Sequence, residues 1–308
     1  MSDMTNAEAR GLVALFRGLS PRDPSPLRAE IPAELVGLLS APLPRRPGAI
    51  LFDLYGTLFA SAAGGEPGIV SDGYGEAATG APEAWAARVF LAAELRAAGD
   101  PRRPEAFAAD IDRGIAAFRD RARANRAFPE IDIAEIVGKL LPGLGAEEGR
   151  RISLAHEAWR NPCAPMRGAL DLIEALGRGG YRLGIVSNAQ FYTPLLFEAL
   201  FGKTPAALGF EAGLTAYSFE LGIAKPDPEV FRRAVARLLA SGMAPGEILA
   251  IGNSAANDVV PASALGLMTA LFAGDARSFR PAAALSPGKE PDTILTDLEG
   301  LVALFPTV

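Results

Sequence analysis

The stretch Pro47–Ala60, P-G-A-I-L-F-D-L-Y-G-T-L-F-A, constrains this chain more than any other. Ala49 to Phe52 is an uninterrupted apolar run, the pattern of a short strand buried on both faces of a parallel sheet. It ends in Asp53, and Gly56 permits a sharp turn after the strand. In a doubly wound α/β sheet, ligands bind at the carboxyl ends of the strands, which is where Asp53 falls. A carboxylate there can act as a nucleophile and form a covalent aspartyl intermediate. It can equally cap the segment that follows. Taken alone, the stretch does not choose between the two.

Three later stretches favour chemistry. Tyr181 to Val186 reads as a strand and runs into Ser187-Asn188. Gly222-Ile223-Ala224-Lys225-Pro226-Asp227-Pro228 precedes a helical pattern from Glu229 to Leu239. Ile248 to Ile251 is another strand run, followed by Gly252-Asn253 and then Asn257-Asp258. In order and spacing these four stretches resemble the motifs of the haloacid dehalogenase-like (HAD) hydrolase superfamily. Those motifs are a nucleophilic Asp followed by Gly-Thr, a Ser or Thr after a strand, a Lys, and an acidic pair after a strand. The resemblance spans about residues 48 to 275. It implies an α/β fold: a Rossmann-like three-layer core around a parallel sheet, with an α-helical cap inserted after the first motif.

The remaining sequence agrees with that plan. With 308 residues and 49% apolar side chains, the chain can bury a large core. A net charge of −6 offers nucleic acid and anionic membranes no electrostatic attraction. One cysteine, Cys163, and one histidine, His156, are too few for a Cys/His metal cluster. Both are read as structural. The absence of a signal-like segment or a long apolar run leads us to expect a cytoplasmic protein. The resemblance implies a small anionic substrate.

Residues 1–47 form an N-terminal extension with helical patterns over Asn6–Arg17 and Ala33–Leu39, ending in a proline-rich connector. We expect it to cover one side of the core. Residues 48–61 and 162–308 are assigned to the core, and 62–161 to the cap. Six glycines between Ala62 and Gly80 suggest a hinge. Helical patterns follow at Pro82–Ala98, with Trp85, Val89 and Leu95, and at Pro104–Arg126, with Phe107, Ile111, Ile115 and Phe118 in one stripe. Two more follow at Ile131–Leu141 and Ala146–Trp159. Arg119, Arg123 and Arg126 share a face of the long cap helix and are read as solvated.

The resemblance assigns roles residue by residue. Asp53 is the expected nucleophile. Thr57 and Ser187 hydrogen-bond the nucleophile or the transferring group. Backbone N–H groups around Tyr55 and Asn188 hold anionic oxygens, and Lys225 neutralises developing charge. Mg²⁺ would be held by Asp53, the Tyr55 carbonyl, Asn253 and Asp258. Two positions depart from the phosphatase pattern. Tyr55 stands where most phosphatases of the family carry a general-acid Asp, and a phenol of pKa ~10 is a poor acid at neutral pH. Asn253 replaces a metal-binding carboxylate with a neutral amide. The dehalogenase branch does carry D-x-Y-G-T and needs no metal, but it has a Tyr where this chain has Phe231. A Mg²⁺-dependent phosphatase acting on a small phosphorylated metabolite is the first expectation. A metal-independent 2-haloacid dehalogenase is the second, and a binding or regulatory homologue of low activity the third.

Overall fold

The computed structural model describes residues 4–20, 27–61, 82–124, 126–281 and 290–305, without the side chains of 82–84. The glycine-rich hinge expected at 62–80 lies outside them. In chain order the main elements are α1 (Asn6–Leu19), β1 (Ala49–Phe52), β2 (Phe59–Ala60), α2 (Pro82–Ala97), α3 (Pro104–Ala122) and α4 (Ile133–Leu140). They continue with α5 (Ala146–Arg160), β3 (Ala164–Pro165), α6 (Ala169–Arg178), β4 (Arg182–Ser187), α7 (Thr193–Phe201) and β5 (Phe210–Tyr217). Last come α8 (Pro228–Ala240), β6 (Ile248–Gly252), β7 (Met268–Phe272) and β8 (Thr293–Leu295).

Six strands form one parallel sheet in the order β5-β4-β1-β6-β7-β8. The chain leaves β1 toward β4 and β5, then returns to the other side of β1 with β6, so the strand order switches at β1. That is where an open α/β sheet forms its ligand crevice. The apolar run reading of β1 holds, since all four of its residues are buried. Its side chains alternate between two layers. Ile50 and Phe52 join one apolar cluster with Leu183, Ile185, Leu249 and Ile251. Ala49 and Leu51 join the opposite one with Val186, Ala250 and five residues of α8, among them Phe231.

Helices α2 to α5 are inserted between β2 and β3, which pair antiparallel beneath them. The stripe on α3 packs as expected, with Phe107 and Ile111 fully buried. On α2 the inward residues are Ala87, Leu91 and Leu95, whereas Trp85 is 61% exposed and Val89 42% exposed. The expected Trp85–Val89 pair therefore lies on the outer face, because the inward pair Ala87–Leu91 stands two residues on, about 200° around the helix.

The N-terminal extension is more deeply embedded than a cover over the core. Leu12, Val13, Phe16 and Leu19 of α1 are buried in the same cluster as Ile50 and the cap residues Leu91, Leu95 and Phe107. Phe16 packs edge-on against Tyr192, with ring centroids 5.9 Å apart. Glu8 of α1 pairs with Arg150 of α5. Further along, Leu39 bridges Ile294 beside β8, an edge strand with no strong sequence signal. After β6 the chain makes a wide turn at Ala255–Val259 followed by one helical turn at Val260–Ser263.

Candidate active site

The carboxyl ends of β1, β4 and β6 bring three of the four motifs to one edge. The alignment pairs Phe52 with Ile185 on one side and with Ile251 on the other, so Asp53, Ser187 and Asn253 leave adjacent strands. Gly56 has φ +86, and a Cβ there would come within 2.6 Å of the Asn253 amide nitrogen. Only glycine gives both the turn and the close approach. Gly252 is required for a second reason, since a Cβ on it would sit 2.1 Å from Asp258 Cγ. The remaining motif, at Lys225, arrives from the loop after β5. Asp227 caps α8 by accepting from the Glu229 N–H at 2.9 Å, and Pro228 opens the helix. Lys-Pro-Asp-Pro is thus a helix start that leaves Lys225 just outside, aimed at the sheet edge.

Lys225 Nζ donates to Asp53 Oδ1 at 2.7 Å, to Asp258 Oδ1 at 2.6 Å and to the Val186 carbonyl at 3.0 Å. Ser187 Oγ donates to the same Asp53 Oδ1 at 3.2 Å. Thr57 Oγ1 lies 3.2 Å from Asp53 Oδ2 and 3.4 Å from Asn253 Oδ1. Asp258 Oδ2 accepts from the Ser254 N–H at 3.0 Å. The Asn188 side chain clasps the main chain of Lys225 from both directions, accepting from its N–H at 2.7 Å and donating to its carbonyl at 3.2 Å. Asp53, Thr57, Ser187, Lys225, Asn253 and Asp258 are all buried. The structure therefore joins the side chains of Asp53, Thr57, Ser187, Lys225, Asn253 and Asp258, with Asn188 holding the Lys225 main chain, and turns the Tyr55 hydroxyl away from them.

That hydroxyl is turned into the protein, 2.9 Å from Thr193 Oγ1, with the ring edge-on to Phe59 at 5.7 Å. Burial, and then the charges of Glu157 and Cys163, push the phenol well above its ordinary value. Elsewhere in the site, burial works against the Lys225 ammonium, but Asp258 and Asp53 outweigh it and the net shift is upward. Burial raises Asp258 to about 6, with Lys225 opposing and Asp53 adding to the rise. Two carboxylates sharing one ammonium make an anionic site of low dielectric, in which each charge is worth more than in water.

The donors suited to Mg²⁺ are oxygens, as that ion prefers. One is a neutral amide, and both oxygens of Asp258 already serve Lys225 and Ser254. Asn253 also donates to the Ser278 carbonyl at 2.5 Å, which fixes its Oδ1 toward Thr57. Among the described residues no group of three or more His, Cys, Asp or Glu could hold a metal. The oxygens are of the kind Mg²⁺ takes, but the set offers it one neutral amide and one carboxylate already engaged by Lys225 and Ser254.

The remaining candidates divide. Arg126 donates to the Gly222 carbonyl at 2.9 Å, so it ties the cap to the lysine loop. Arg123 is solvated, as expected, and Arg119 is half-buried. Cys163 is buried and donates to the Asn161 carbonyl, and burial lowers His156 to about 3. Thr193, Gln190, Ser218, Ser278 and Glu130 surround the site but belong to no motif, and only the fold reveals them. No helix among the described residues is long and apolar enough to cross a membrane.

With this geometry in place, comparison with known proteins is direct. The model of the haloacid dehalogenase-like hydrolase family matches residues 47–266. The chain belongs to that family. No curated protein sequence matches it. Among solved structures, a 2-haloacid dehalogenase from Pseudomonas syringae pv. Tomato DC3000 is 18% identical, with a TM-score of 0.51 over 84% of this chain and 97% of the other. A HAD phosphatase from Thermococcus onnurineus is also 18% identical, with a TM-score of 0.47 over 83% of this chain and 96% of the other. At such identities the first supports the fold, and neither bears on substrate.

Proposed function

We propose that this chain is a hydrolase working through a covalent intermediate on Asp53, with a substrate whose leaving group departs without a proton. A small 2-haloacid is the class that fits. One observation carries this reading: the Tyr55 phenol, at the general-acid position, is bonded to Thr193 and shifted above its ordinary value. It cannot protonate an alkoxide leaving group at neutral pH. A halide needs no such help.

Lys225 and Ser187 both hold Asp53 Oδ1, which leaves Oδ2, beside Thr57, to attack. The carbon–halogen bond breaks as the carbon–oxygen bond to Oδ2 forms, giving an ester of Asp53 and a halide ion. Water then adds to the ester carbonyl. The oxyanion that develops is stabilised by Lys225 and Ser187. Asp258, the other carboxylate on Lys225, is the base available to take the water's proton. Collapse breaks the bond between the Asp53 carboxyl carbon and the substrate oxygen, Asp258 returns its proton to that oxygen, the hydroxy acid leaves, and the Asp53 carboxyl gives up its remaining proton to solvent.

The Mg²⁺-dependent phosphatase is a second reading, favoured by the cluster of Asp53 Oδ2, Thr57 Oγ1 and Asn253 Oδ1, all hard oxygens. Asp53, the Tyr55 carbonyl, Asn253 and Asp258 would hold the ion, which would supply charge neutralisation for a phosphate.

The test is a panel of 2-haloacids, an alkyl phosphate and an aryl phosphate, each with EDTA and with Mg²⁺. Halide release that persists in EDTA and disappears in Asp53→Asn is the expected result. Phosphate release that requires Mg²⁺ would shift the assignment to the second reading. No turnover in either condition would point to the binding homologue.

A further inference from the structure

A carboxylate from the cap sits between the two core loops that carry the catalytic side chains. Glu130, in the segment joining α3 to α4, is buried. Its Oε2 accepts from Ser218 Oγ at 2.5 Å, and its Oε1 accepts from the Ile131 N–H at 2.9 Å and lies 3.4 Å from Gln190 Nε2. Ser218 stands directly after β5, and its hydroxyl oxygen accepts the Ala189 N–H at 2.8 Å. Ala189 follows Asn188, whose side chain grips Lys225 from both sides. A bonded path therefore runs from the cap carboxylate through Ser218 to the loop after β4, and from there to the lysine.

The neighbouring main chain makes the same connection. Ala224 N–H donates to the Phe128 carbonyl at 2.9 Å, and Glu130 N–H to the Gly222 carbonyl at 3.2 Å. Cap residues 128–130 thus lie along residues 222–224, immediately before Lys225. Gln190 completes the contact from the core, accepting from the Ile133 N–H at 3.0 Å and donating to the Ile131 carbonyl at 3.0 Å. Burying a carboxylate is costly unless it is well bonded. A glutamate kept here, where an apolar side chain would fill the space more cheaply, has a task beyond packing.

Resting on the reading of Ser187, Asn188 and Lys225 as catalytic machinery, we propose that Glu130 is a positioning residue. The docked cap inserts its carboxylate between the loops after β4 and β5, and that contact sets the geometry of Ser187, Asn188 and Lys225. Competence for chemistry is thereby tied to the docked cap, without Glu130 touching substrate.

The experiment compares full-length wild type, Glu130→Gln, Ser218→Ala and the double variant by amide hydrogen exchange without substrate, and by steady-state kinetics. Exchange should accelerate in residues 187–190 and 222–225 and stay unchanged in β1 and β6. kcat should fall roughly ten- to a hundredfold, the scale of one lost charge-assisted hydrogen bond, with KM nearly unchanged. The double variant should be no worse than the worse single variant, since both cut one path. Unchanged exchange in the two loops, additive losses, or a change confined to KM would overturn the proposal. So would faster exchange throughout the core in both variants, because that is a purely structural role. If no substrate in the panel turns over, the functional reading fails, while the exchange pattern still decides this one.

Discussion

The hydroxyl of Tyr55 lies 2.9 Å from that of Thr193, at the start of the helix after the second motif. Thr193 Oγ1 also accepts the Gln190 N–H at 3.0 Å, so the phenol braces a loop of the site from behind. Tyr55→Phe should therefore retain kcat within a few-fold and cost about 0.5–1.5 kcal/mol in stability. Denaturant unfolding and turnover of the same preparation check this. A loss of turnover beyond a hundredfold in a folded variant would show that the phenol takes part in chemistry.

Asn253 offers a direct test of the metal question. Its Nδ2 donates to the Ser278 carbonyl, and Asn253→Asp would set a carboxylate oxygen against that carbonyl. Without metal the variant should lose about 1–3 kcal/mol, the penalty for an unsatisfied buried polar group. Mg²⁺ should restore that stability if the site can take the ion, through ordinary ligand linkage. Thermal melts with and without Mg²⁺ read the effect directly. A variant as stable as wild type in EDTA would contradict the assignment of the amide donor.

Much of this arrangement was legible in the sequence, because strand ends in a parallel sheet carry short apolar runs with polar residues directly after them. β1, β4 and β6 announced themselves in this way, and Asp53, Ser187, Lys225 and Asp258 met as their motifs implied. What stayed hidden depends on contacts far apart in sequence. The bond of Glu130 to Ser218 spans 88 positions, and neither residue stands out in its own neighbourhood. Tyr55 was legible as a departure from the phosphatase pattern, but the direction of its hydroxyl was set by Thr193, 138 positions away. β8 has only three residues, Thr293–Leu295, too few to show a period.

The N-terminal helix should prove inseparable from the catalytic unit. Phe16 is 2% exposed and rests on Tyr192, whose own hydroxyl donates to Glu157 of α5 at 2.8 Å. Removing residues 1–41 would uncover α7 together with the cap helices that α1 touches, leaving a broad apolar face in water. Phe16→Ala alone should cost ~3–5 kcal/mol by leaving a cavity. We expect the truncated chain to be aggregated or markedly less stable by calorimetry. A monomeric truncation with an unchanged melting temperature would show that α1 is dispensable.

Acid pH should switch the enzyme off through Asp258. Burial raises this carboxyl to about 6, against the pull of Lys225. Above that value it is ionised, and in the proposed mechanism it is then the base that draws a proton from the water hydrolysing the aspartyl ester. Below it the base is lost, so kcat should fall about tenfold per pH unit when ester hydrolysis is limiting. On the alkaline side Lys225, held above the ordinary lysine value of ~10.4, keeps its charge, so no matching loss is expected near pH 8–9. The sign for stability is opposite. A group whose folded pKa is raised stabilises the fold below its unfolded value of ~3.9 and loses that contribution as pH rises through its folded one. Protonating Asp258 therefore does not unfold the protein, and the acid loss should reverse on return to pH 8. Asp258→Asn should lower kcat at pH 8 by ~10²–10⁴ and flatten the acid limb. Covalent adduct should accumulate on Asp53 in that variant, visible as a mass increase in the intact protein. An acid limb that survives in Asp258→Asn, or one that follows the melting curve, would assign the titration to another group.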